Sequence, residues 1–349
     1  TISAGTLAAG AYAINIGGSL SNSSNLTILG TVTFDATSTG KTINAGTANF
    51  YNLTFNGIGG GWTLNNALNI TNNLTISNGT LNAGAYAITI GGNFNKTGGT
   101  FTNAGTVTFT AATTGKTIRS TGSSFYNITF NGIGGVWTLQ DELIATNLLT
   151  ITNGTLVLNN KALTLTGVTF SNEGTLKLLG SEALTDFAND TDSGTIEYYG
   201  TGSYSEFIAG NTYYNLTLSG SGIYTLTTAL DVNNNLAVSA GTLVAGVYAI
   251  NIGGNFSNAS TFTSGTGTVY FDKASGTQTL NSGGIGTGKL FYNLTHSGLG
   301  TLQLLTNSIN INGNFSNSSG TFDCNSLNMN VAGNFTLTLG TTYTKGGTL

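Results

Sequence analysis

Few side chains in this sequence could do chemistry. Its 349 residues include 13 Asp and Glu, 9 Lys and Arg, one His and one Cys. The single dense acidic cluster is Asp186, Asp190 and Asp192, within TDFANDTDSGT. Paired carboxylates could serve as acid and base in glycan cleavage, or as oxygen ligands for Ca²⁺. Here they lack a second acidic cluster one repeat away and a basic neighbourhood, and neither EF-hand nor nonapeptide spacing is present. The expectation is a solvated loop, with no catalytic residue, no cofactor and no metal, these three aspartates being the weak metal candidates.

His296 occupies the place that Phe55, Phe130 and Leu218 hold in related phrases. No Ser or Asp constellation recurs around it, so it reads as a partnered structural residue. Cys324 reads as a small apolar strand residue. The turn Asn56-Gly57-Ile58-Gly59-Gly60-Gly61 and its copy at Asn131 invite comparison with a phosphate cradle. No Lys and no helix follow, so glycines placed for positive φ at corners explain it better. Short Thr-x-Thr runs raise ice binding, but in the sequence they do not keep one register over many repeats. Among the many Asn-x-Ser/Thr sequons, Asn52, Asn127, Asn215 and Asn293 share one register of the repeat. They read either as Asn side chains hydrogen-bonding between turns or as glycan acceptors.

The elements that must carry these residues are written in repeats. FYNLTFNGIGGGWTL at Phe50 returns as FYNITFNGIGGVWTL at Phe125, then in worn form from Tyr213 and Phe291. Copies are 75 residues apart at first, and 88 residues separate Phe125 from Tyr213. Inside this long period lies a shorter one: Gly-Thr-apolar triplets begin at residues 154, 174 and 194, a beat of 20 residues. Apolar residues alternate with Thr or Asn over strands of three to five residues, and Gly and Asn punctuate them. Pro is absent, as a strand paired on both sides requires, and Gly numbers 52. Coils of this size predict an all-β fold, a parallel β-helix or β-solenoid, with coils of about 20 residues grouped in 75- to 88-residue super-repeats. It is expected to run as one continuous solenoid over residues 1–349 and about 80 Å long. A less regular region at 140–210 holds most of the carboxylates, with a loop insertion near 181–193. In the signature phrase, strict alternation would put Tyr51, Leu53 and Phe55 on one face and Phe50, Asn52 and Thr54 on the other.

Net charge is −4, with the basic residues unclustered, which argues against a nucleic-acid partner. No apolar stretch reaches 18 residues, so no helical membrane span is expected. The chain does not begin with Met and shows no signal peptide, which suggests a processed or excised chain. Its ends repeat internal phrases, Thr1–Leu7 matching residues 75–81 and Gly346–Leu349 matching residues 98–101. The ends are thus expected to be uncapped, covered by more chain or by another subunit.

The Thr/Asn/Gly-rich short strands, with GGNF and FYNLTF, resemble the repeat passenger regions of bacterial autotransporter and filamentous-haemagglutinin-like adhesins, which are parallel β-helices. The resemblance spans essentially the whole chain. It implies a secreted, cell-surface protein for attachment or matrix building, and offers no catalytic residues to carry over. The expected function is a non-enzymatic, extracellular structural or adhesive rod, self-associating head to tail or continuing in a larger chain. Two rivals are an adhesin tip acting through the 140–210 loop on a surface glycan or receptor, and a polysaccharide-degrading β-helix.

Overall fold

A computed structural model of the chain describes residues 1–347. Thr348 and Leu349, half of the expected C-terminal phrase, lie outside the described residues. No helix occurs among the described residues, and the described strand pairings are parallel, with coils of about 20 residues. The fold is the expected β-solenoid. It divides into two compact units, Thr1–Leu176 with Glu182–Ala188, and Lys177–Ser181 with Asn189–Leu349.

In the first unit Val32, Leu53, Leu74, Phe94, Ile118 and Leu139 stack one above another, each opposite the next. A second row runs Leu68, Ile88, Val107, Ile128, Leu149 and Phe170. All of these side chains are buried. Rungs about 4.8 Å apart place like residues in van der Waals contact, so the core extends by repetition. Phe34 lies on Phe55 with centroids 5.3 Å apart, and Phe109 on Phe130 at the same spacing. Trp62 and Trp137 close on these stacks at 5.3 and 5.2 Å.

The long and short periods are not commensurate. Three coils carry Leu53 through Leu74 and Phe94 to Ile118, still 10 residues short of its repeat counterpart Ile128. Leu53 therefore belongs to the first row and Ile128 to the second. Successive copies of one phrase sit on different faces of the solenoid.

The second unit repeats this design. Ile196, Leu216, Leu236, Phe256, Leu280 and Leu304 form one row. Leu230, Ile250, Val269, Leu294, Phe315 and Phe335 form another. Leu216 and its counterpart Leu294 again fall in different rows.

Two local expectations need correction. Strict alternation across the signature phrase fails because Tyr51 occupies a bend between the strands Asn49–Phe50 and Asn52–Leu64. The bend restarts the alternation, so Phe50, Leu53 and Phe55 are all buried while Tyr51 is 42% exposed. The Gly-rich turn also does not separate two short strands. It runs inside the strand Asn52–Leu64 and, in the second copy, inside Ser124–Leu139, with register shifts absorbed by the next rung. Only Gly59 of its four glycines has positive φ, at 77°. Gly57 and Gly60 are there for room: a Cβ on either would stand 1.9 or 2.1 Å from the Ala36 carbonyl oxygen. Backbone rests directly on backbone at this corner.

Within the expected 181–193 loop, Leu184–Thr185 forms a short rung opposite Leu163 and Thr164. Residues 186–194 carry no strand.

Candidate functional site

The acidic residues singled out by sequence take up different duties. Asp186 belongs to the first unit, in a left-handed turn with φ of 54°. Asp190 and Asp192 belong to the second unit and knit their own turn. Asp190 Oδ1 accepts from the Asp192 backbone N–H at 3.1 Å, and the Ser193 hydroxyl lies 3.3 Å from Asp190 Oδ2 and 3.2 Å from Asp192 Oδ1. Among the described residues no three His, Cys, Asp or Glu side chains converge to hold a metal ion.

Other carboxylates of the 140–210 region brace one coil against the next. Asp141 accepts from the backbone N–H groups of Ser120 and Thr121 at 2.8 and 2.7 Å. Glu142 accepts from the Thr164 hydroxyl at 2.6 Å, and Glu182 from the Asn160 N–H at 3.2 Å. Glu197 pairs with Lys177 at 2.6 Å and also accepts from Ser219. Partners in these contacts are separated by about 20 residues, one coil of chain.

Asparagine does the same work more often. Asn52 Oδ1 accepts from Asn72 Nδ2 and the Asn73 N–H, and Asn73 Oδ1 from the Asn93 N–H. Asn127 Oδ1 accepts from Asn147 Nδ2 at 2.7 Å. Asn215 Oδ1 receives Asn234 Nδ2 and both nitrogens of Asn235. Asn293 Oδ1 receives the Asn314 N–H at 2.9 Å. All four sequon residues are half-buried, and each stacks onto the next coil by hydrogen bonds. Their shared register in sequence does not make a line in space. Asn52 precedes the first row of the first unit and Asn127 the second, and Asn215 and Asn293 likewise belong to different rows of theirs. Thr behaves in the opposite way: Thr89, Thr108, Thr129 and Thr150 are aligned on consecutive coils, although their sequence spacing varies. The extra residues fall in the corners, which leaves the strands in register.

His296 is fully buried between Phe271 and Asn317 of neighbouring rungs. Its Nδ1–H donates to Asn317 Oδ1 at 2.8 Å, Asn317 Nδ2 donates to the Thr342 carbonyl at 2.9 Å, and Nε2 has no partner. Burial holds the imidazole below its ordinary pKa, opposed in part by the Asn317 bond. A neutral histidine with its second nitrogen sealed in the core has no route to substrate. Buried Cys324 lies 3.2 Å from the Tyr343 hydroxyl, whose pKa burial pushes up.

Two surface grooves are not legible in the sequence. One, of about 240 Å³, is lined by Glu206, Phe207, Asn211 and Leu226 in the second unit. Another, of about 390 Å³, crosses the first unit beside Asn93 and Arg119. The signal that could have marked the second is that Arg119 is the sole arginine of the chain. In comparisons with known proteins, no family model matches this chain, and neither does any curated protein or solved structure.

Proposed function

We propose that this chain is a non-enzymatic structural and adhesive element that works outside the cell, as a stiff, protease-resistant β-solenoid segment of a surface fibre. The observation that carries the reading is where the polar side chains are spent. Asn, Asp and Glu residues that could bind or catalyse are used to hold one coil on the next, as Asn52, Asn73, Asp141 and Glu197 do. A design of this kind gives stiffness along the stacking direction and lets length grow without altering the core. Composition adds support: with 9 Lys and Arg in 349 residues, trypsin finds few sites.

End-to-end stacking of coils is the assembly we propose. Thr6–Gly10 pairs with Asn25–Ile28, and Thr342–Thr344 with Thr321–Asp323. Each of these outermost strands has a second edge on which a further coil of the same register would fit, from a longer chain or a second copy. The likeness to autotransporter and haemagglutinin-like passenger regions fits this reading.

Sedimentation and negative-stain microscopy over a concentration series test it. Filaments that lengthen with concentration are expected; a dispersed monomer at the highest concentration would overturn stacking between separate copies. Antibody labelling of intact source cells is expected at the surface, and labelling only after lysis would overturn the extracellular placement.

A further inference from the structure

We infer that the groove beside Arg119 is a binding site for an extended, carboxylate-bearing glycan. Four consecutive coils of the first unit build it. Thr75, Asn95 and Arg119 are directly opposed in successive strands, and Gln140 follows at the next rung, its N–H bonded to the Ile118 carbonyl. Alongside runs a second polar row, Asn73, Asn93 and Thr117.

The second row has a directional hydrogen-bond pattern. Asn73 Oδ1 accepts from the Asn93 N–H at 2.8 Å, and Asn93 Oδ1 accepts from the Thr117 N–H at 2.7 Å and its hydroxyl at 3.2 Å. The ladder thus consumes amide oxygens and leaves the Nδ2 groups of both asparagines over. Among the described residues, those NH₂ groups, the Asn95 and Gln140 amides and the Arg119 guanidinium have no hydrogen-bond partner. Two of the four amide oxygens in the trough are spent on the ladder, while all four NH₂ groups and the guanidinium stay open. Donors therefore outnumber acceptors, and an acceptor-rich ligand is favoured.

Charge narrows the class. Arg119 forms no ion pair, the one described being Lys177–Glu197, and no carboxylate lines the groove. The adjacent Asp141 is occupied by the N–H groups of Ser120 and Thr121. A planar guanidinium left open among amides suits a carboxylate held by paired hydrogen bonds. The remaining lining favours sugar over peptide. Thr75 and Thr97 offer hydroxyls that both donate and accept, as sugar hydroxyls do, and no aliphatic or aromatic side chain provides a pocket for peptide side chains. The inference is independent of the fibre proposed above, since the groove is complete within these coils.

Arg119 being the chain's sole arginine, its Nε–H signal in a ¹⁵N-labelled sample identifies itself. Titration with a uronic-acid tetramer is expected to move that signal saturably, while a neutral glucose tetramer leaves it in place. Arg119→Ala, on an exposed strand position, should fold normally and weaken uronate binding by about tenfold or more, read by calorimetry. Asn95→Leu should keep the charge and still weaken binding. No shift with the uronate tetramer, or an equal affinity in Arg119→Ala, would overturn the site. An equally strong response to a tetraglutamate peptide would show recognition of charge alone and overturn the glycan assignment.

Discussion

The two units fill the same phrase with different side chains. In the first, Phe55 meets Trp62 and Phe130 meets Trp137. In the second, the corresponding places hold Leu218 with Tyr224, then His296 with Leu302. The single strand Asn52–Leu64 of the first unit gives way to two short strands, Asn215–Leu218 and Ile223–Thr225, and the source of stabilisation changes with it. The tryptophans contribute apolar area, and their indole N–H groups are buried without a partner, a cost that the area must outweigh. The second unit puts polar atoms in its core and partners its tyrosine hydroxyls, while His296 Nε2 stays without a partner. The Gly200 N–H donates to the Tyr224 hydroxyl at 3.0 Å, the Tyr198 and Tyr213 hydroxyls lie 3.2 Å apart, and Tyr213 donates to the Gly210 carbonyl. Phe207 packs among Tyr198, Tyr213 and Tyr224 with centroids 5.0 to 6.0 Å away. A solenoid tolerates such exchange because each coil answers only to its neighbours.

The sharpest way to break this comparison is Trp137→Ala. Losing a fully buried indole against Phe130 should cost about 3–5 kcal/mol in urea unfolding. A loss under about 1 kcal/mol would mean that area is not what holds the first unit. In the second unit the matching test is Tyr224→Phe, which keeps the ring and removes the acceptor for the Gly200 N–H. It should cost about 1–3 kcal/mol, whereas no loss would put both units on the same footing.

The smallest effect expected is one of pH. His296 has a folded-state pKa below its unfolded value of about 6.5, so its contribution is present above that pH. It is lost as pH falls through the folded value. Asp272 works in the other sense: burial first, and then Asp231, hold its carboxyl above the ordinary range. Its contribution is present below about pH 3.8 and lost as pH rises through the folded value. Melting temperature should therefore fall between pH 7 and pH 5.5, and the double variant His296→Phe, Asn317→Leu should remove that fall. Persistence of the fall in the double variant would assign it elsewhere.

Much of the architecture was readable in advance. Alternation in Val32-Thr33-Phe34 and Leu53-Thr54-Phe55 and the 20-residue beat required short strands piled in parallel, because such strands bury a face only against their copies. The replacement of Phe55 by His296 also marked a structural histidine, although its partner Asn317, one coil away, could not be seen. Readings that depended on direction or height failed. Whether Tyr51 or Phe50 faced the core turned on a bend at Tyr51, and alternation says nothing about where a strand turns a corner.

The sequence by itself determined the fold class, the coil length and the scarcity of catalytic groups, since local periodicity and composition decide those. Tertiary structure alone decided which copies share a face. A 75-residue block is not a whole number of coils, so residues equivalent in sequence, such as Asn52 and Asn127, are carried to different rows. The same stacking gathered Asn73, Asn93 and Arg119 from three coils into one groove. Coil-by-coil variation in length, absorbed at the corners, sets that alignment, and it becomes fixed only when one rung has settled on another.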